Sequence, residues 1–311
     1  MIKRLLVLVV VVSLLSSCGS TEEELVVANN VVRKLPVSHT CTELDVRGDW
    51  RVELNDSVQV PTVVVSENLM KFVTIDVNDW RVRLRNKPRM KYRMENSAVP
   101  CLLLPSENGF TDIEMSGATA LVGKKLVGYE DLELNMSGTA NFEVDTLSYV
   151  EDIDIDMSGA TTLICKSAKM EELNVEMSGS AEAKMDVLGI EKEVDIEMSG
   201  ASNMDLNCEV LELKMELSGS SKLNLRGRAV EMNASLSGSS SIDSVEEMEE
   251  VASNDIFIVD IAKVGIKGSS TIRFQCNDKL KVNASGNSYV LYRGSPKTMV
   301  KSTGASRVET M

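Results

Sequence analysis

The sequence predicts an all-β protein, a right-handed, single-stranded parallel β-helix with about 18–21 residues in each coil. Three observations carry that expectation. A Ser-Gly pair begins at residues 116, 137, 158, 178, 199, 218 and 237, and again at 285; Lys267-Gly268 and Thr303-Gly304 keep the register. The spacings run 21, 21, 20, 21, 19, 19, 30, 18 and 18. Ahead of each pair the residues alternate apolar and polar, as in Leu132, Leu134, Met136 and then Ile153, Ile155, Met157, the period of a half-buried strand. No repeat holds ten residues of helical period or the L-x-x-L-x-L-x-x-N frame of a leucine-rich repeat. The right hand follows from strand twist and from the handedness of parallel crossovers. Coils about 4.8 Å apart make a rod of roughly 45–50 Å.

The N-terminus comes first. Met1-Ile2-Lys3-Arg4 is a basic head and residues 5–15 an apolar run, the layout of a secretory signal and too short for a membrane span. Residues 1–17 are read as that signal. Leu15-Ser16-Ser17-Cys18 resembles the lipobox of bacterial lipoproteins, which implies cleavage ahead of Cys18, lipidation of that cysteine and a membrane as the first partner. Each buried methylene of such an anchor contributes about 0.8 kcal/mol. Residues 18–37 read as the lipidated cysteine and an acidic tether carrying Glu22, Glu23 and Glu24. Acidic residues in this place resemble outer-face sorting signals, implying an outer-membrane lipoprotein at the cell surface; the periplasmic face is the alternative.

Charge narrows the partners. The chain has 33 basic and 47 acidic residues, a net charge of -14; without Lys3 and Arg4 the balance is 31 against 47, or -16. Such a chain offers nothing electrostatic to nucleic acid or anionic lipid heads, leaving cations, neutral glycans and basic proteins. After Cys18, cysteines stand at 41, 101, 165, 208 and 276, an odd set without close pairs and hence no disulfide framework. Cys165 falls at an inward position. Cys208 and Cys276 both lie nine residues after a corner, three coils and roughly 14 Å apart, too far to bond. A Cys41–Cys101 bond is left open.

Residues 38–110 lack Ser-Gly punctuation yet read as strands, an irregular β region that begins the solenoid and covers its open end. A separate small β domain is the alternative. Asp49-Trp50-Arg51-Val52-Glu53-Leu54 returns as Asp79-Trp80-Arg81-Val82-Arg83-Leu84. Trp50 and Trp80 are either core and cap residues or a pair on which a sugar stacks.

Residues 111–311 are the regular repeats, with an insertion near 244–255 that adds Val245-Glu246-Glu247-Met248-Glu249-Glu250. Ser-Gly is the corner, where glycine takes positive φ and serines pass hydroxyl hydrogen bonds from coil to coil. A nucleophile would need the G-x-S-x-G elbow and a histidine, and the chain has one histidine, His39. The column before Ser (Met115, Met136, Met157, Met177, Met198, Leu217, Leu236) faces inward as core rather than as a copper site. Outward, two columns carry carboxylates on coil after coil. Asp154, Asp156, Glu176 and Glu197 are the candidate Ca²⁺ ligands among them; a solvated acidic face is the preferred reading, because no glycine- and aspartate-rich Ca²⁺ nonapeptide occurs. The last coil shows no polar cap, so its end is expected to pair with another copy or lie under the final residues.

The repeated Met/Leu-Ser-Gly strands and the close Val290-Leu291-Tyr292-Arg293-Gly294-Ser295-Pro296 resemble the putative auto-transporter adhesin, head GIN domain family, over about residues 38–311. The resemblance implies a β-helical fold in exported, often lipid-anchored proteins and carries no active site. The expected function is a non-enzymatic surface rod, without cofactor or catalytic residue, binding glycans or surface proteins. A periplasm-facing structural or envelope-sensing lipoprotein and a polysaccharide lyase or hydrolase are the alternatives.

Overall fold

The computed structural model describes residues 24–28, 31–36, 41–78, 80–87, 90–94, 99–244 and 256–311. The segment read as a signal (1–17), Cys18, His39 and most of the acidic insertion (245–255) lie outside the described residues.

Alternation dictates the architecture. A strand whose every second residue is apolar must bury that side, and a twenty-residue repeat supplies the next such strand directly above. The result is a parallel β-solenoid of about nine turns. Strand Asn141–Met157 lies between Ala120–Gly138 and Thr162–Met177, with Met136 opposite Met157 and Met157 opposite Met177. Every inward Met and Leu of the column before Ser is buried, as are Phe142, Val144, Leu163 and Cys165 on the strand beyond the corner. Each such side chain contributes roughly 1.5–3 kcal/mol on burial, and the core is one continuous stack.

The corner requires glycine. Gly200 has φ +74°, and a Cβ there would stand 2.5 Å from the carbonyl oxygen of Gly179, the corresponding residue one coil below. The corner serines do not relay hydroxyl to hydroxyl as expected. Ser199 Oγ donates instead to the Met177 carbonyl one coil below, at 3.4 Å. The buried hydroxyls stand three residues further on, where Ser221 and Ser240 donate back to the corner carbonyls of Ser218 and Ser237 at 2.7 and 3.0 Å.

The N-terminal region winds out of order. Strand Glu43–Gly48 pairs above with Gly109–Gly117, Gly48 opposite Gly117, so the regular column begins one coil earlier than the Ser-Gly pairs reveal. Below it lies Arg81–Asn86, and Cys101–Leu104 lies below Arg51–Leu54. The chain thus completes its first coil, drops one level, and then climbs past both. Thr62–Ser66 and Val73–Val77 close this end by antiparallel pairing, with Val32–Pro36 outside them. The two Asp-Trp-Arg segments are therefore not equivalent: Trp50 is buried, Trp80 is 56% exposed, and no sugar-stacking pair forms. The segment read as a tether contains strands: Glu24–Ala28 pairs with Met90–Met94 in a separate two-stranded sheet, and Val32–Pro36 adds to the large sheet against Thr62–Ser66.

Two further expectations change. Cys276 continues the ladder of Val210, Ala229 and Val259, whereas Cys208 faces Gly227, so these thiols occupy different columns. Cys41 and Cys101 are free thiols. At the far end the last residues do not fold back: the Met311 N–H donates to the Tyr292 carbonyl at 2.8 Å and continues the ladder. Three of the inward columns turn polar there, Thr298 above Leu280, Ser302 above Ala284 and Thr310 above Tyr292, while Val300 above Val282 and Val308 above Val290 stay apolar.

Candidate functional site

Strand geometry places the chemistry on one sheet. Because odd and even residues point to opposite sides, the positions two and four before each corner face out while Met and its neighbours face in. The ladders are continuous: Glu114, Asn135, Asp156, Glu176, Glu197, Glu216 and Ser235 stack in one, and Asp112, Glu133, Asp154, Asn174, Asp195, Lys214 and Asn233 in the other. Beside the first runs a trough of about 820 Å³, floored by the Met–Ser corners and reaching from Arg47 to Ser237. No sequence argument identified Arg47 as its end wall, since Arg47 stands where later coils have serine.

Electrostatics follows the stacking. Glu176 is held above the ordinary carboxylate range, first by Asp156 below it, then by burial and by Glu197 above. Burial pushes Asp112 up to about 6, with Glu114 and Glu133 adding to it. Neighbours of another kind dilute the ladder elsewhere. Asn174 Nδ2 donates to Asp154 Oδ1 at 2.8 Å, and Lys214 Nζ donates to Glu193 Oε1 at 2.5 Å. The four Ca²⁺ candidates are thus strung along two columns rather than gathered, and no cluster of three or more metal-ligating groups occurs among the described residues.

At the capped end the acidic column meets arginines. Asp45 lies below Glu114, and its carboxylate accepts from Arg47 Nε at 2.9 Å, from Arg83 Nε at 3.0 Å and from Arg85 Nη2 at 2.5 Å. Burial alone would raise Asp45; the hydrogen bonds from Arg85, Arg47 and Arg83 outweigh it and hold the carboxyl below its usual range. Arg47 also donates to Glu114 at 2.9 Å and Arg81 to Glu43 at 2.5 Å, so the cap neutralises the ladder's first rungs. Burial disfavours the thiolate at the described cysteines: it pushes Cys101 and Cys165 up to about 11 and Cys41 and Cys208 up to about 12, and it raises Cys276 as well.

Fold and face together define a β-solenoid with an extended, repeating surface in place of a single cleft. The chain belongs to the family described as putative auto-transporter adhesin, head GIN domain, whose model matches residues 41–193 and 189–296. Among solved structures, a putative adhesin from Parabacteroides merdae is similar at 18% identity and TM-score 0.51, covering 92% of this chain and 99% of its own. A putative lipid binding protein from Parabacteroides distasonis is similar at 15% identity and TM-score 0.51, covering 93% and 100%. At these identities the likeness is one of fold. No curated protein matches the chain.

Proposed function

We propose that this protein is a non-enzymatic adhesin rod, held in the cell envelope by lipid on Cys18 and displayed at the cell surface, where its long face binds an extended glycan or a partner protein. One observation supports this above the others: a corner of one outward polar residue (Asp or Glu in five coils, Asn135 and Ser235 in the others), Met or Leu, and Ser recurs along the trough from Glu114 to Ser237 without a local departure that would focus catalysis. A repeating wall suits a repeating or elongated ligand, since each coil adds a similar contact and affinity grows with length. Catalysis on a β-helix instead needs a few perturbed groups converging on one bond. The adhesin family agrees with this reading.

Binding and turnover separate it from the enzyme alternative. The full chain, screened against neutral and acidic polysaccharides and surface proteins, should retain long polymers better than short ones and leave them intact. New absorbance from unsaturated sugars, or release of reducing ends, would replace the binding rod with a lyase or a hydrolase.

A further inference from the structure

The net charge conceals a reversal along the rod. Residues 111–244 carry ten Lys or Arg against 26 Asp or Glu, whereas residues 256–311 carry nine against three. The reversal falls on the same outward face. The column of Asp154 continues through Asn233 to Lys263 and Lys281, and the columns on either side of it end in Lys297 and Lys301. Lys263, Lys281, Lys297 and Lys301 are exposed, and among the described residues none of them makes an ion pair. One flat sheet therefore presents a carboxylate half and a lysine half.

We infer that this face docks a second copy of the chain, face to face with the two rods antiparallel, the lysine half of each lying on the carboxylate half of the other. This deepens the proposed function by naming the partner, and it rests on the reading that the face is the binding surface. The register is fixed by symmetry. A two-fold axis along the strands, between the coil of Lys214 and that of Asn233, brings each column onto itself in reverse order. Counting coils from that axis sets Lys263 on Asp195 of the other copy and Lys301 on Asp156. The neighbouring column sets Lys279 on Glu172 and Lys297 on Asp152 by the same count. Each opposition occurs twice. The one like-charge opposition, Glu231 on Glu212, falls next to the axis, where Lys214 stands 3.8 Å from Glu212 and offsets it. A parallel pairing would set lysines on lysines and carboxylates on carboxylates. In the antiparallel pair the capped N-terminal ends point apart, so two chains anchored by those ends on facing membranes could join them.

Sedimentation equilibrium of the full chain in neutral detergent tests this. The chain should dimerise at low salt and dissociate toward about 1 M salt, where the screening length is about 3 Å. K263E/K301E alone and D156K/D195K alone should each lose at least tenfold in dimer affinity, and an equimolar mixture of the two should recover it. A wild-type chain that stays monomeric up to about 1 mM, or a mixture that fails to recover the dimer, overturns the proposal. A monomer that binds dextran sulfate through the lysine end also overturns it, assigning those lysines to an anionic polymer. In either case polysaccharide or surface-protein binding by the monomer would leave the adhesin reading standing.

Discussion

At the corner, two adjacent residues have separable jobs, and substitution should tell them apart. Gly200 holds φ +74° with the Gly179 carbonyl 2.5 Å from where a Cβ would stand, so Gly200→Ala meets both backbone strain and a clash between coils. We expect a loss of about 2–4 kcal/mol in denaturant unfolding. Ser199→Ala removes only a 3.4 Å hydrogen bond at the surface of the stack and should cost under about 1 kcal/mol. A serine change as damaging as the glycine change would mean that the hydroxyl does more than finish a turn. Asp112 gives a pH signature. Its folded pKa of about 6 lies above the unfolded value, so its contribution is fully present below about pH 4 and is lost as the pH rises through 6. Asp112→Asn should therefore melt higher than the wild type at pH 8, by the equivalent of about 1 kcal/mol, and the two should converge at pH 4.

Among elements, the cap is where reading the sequence and seeing the structure diverge. The regular coils were legible because Ser-Gly spacing and alternation are local signals, and the inward Met column followed from them. Gly48 was not legible as a corner, since Arg47 replaces the serine and 68 residues separate Gly48 from Ser116. Nor was the drop to Arg81–Asn86, because a strand alternating Arg with Val and Leu reads alike on any level. Spatial order is set by the ion pairs that the strand meets: Arg83 and Arg85 reach Asp45 from below and close the acidic column. Asp45→Asn would leave three guanidinium groups around a neutral amide. We expect it to destabilise the cap by about 2–3 kcal/mol at pH 7. Since the folded pKa of Asp45 lies below the unfolded value, the wild type's advantage is present above about pH 4 and fades as pH falls through the folded pKa. Hydrogen exchange in Glu43–Gly48 across that range would show it, and equal protection in both proteins at pH 7 would mean that the clamp is dispensable.

For the whole molecule, composition was informative about net charge and silent about its distribution. A balance of -14 agrees with the long acidic face, yet it hides lysines that only stacking brings together in columns, Lys281 above Lys263 and Lys297 above Lys279, each pair 18 residues apart in sequence. The same stacking removes the Ca²⁺ reading's appeal, because carboxylates spread one to a coil alternate with Asn174 and Lys214 in place of converging. What remains is a rod whose function resides in its faces and in where they point. The most direct test labels intact cells with a membrane-impermeant amine reagent, beside a lysed sample and a periplasmic marker. Exposed Lys184 and Lys222, which lie outside the proposed dimer face, supply the targets. Labelling in intact cells with the marker untouched is the result expected of a surface-displayed adhesin. Labelling only after lysis would contradict display at the cell surface and leave a periplasm-facing rod.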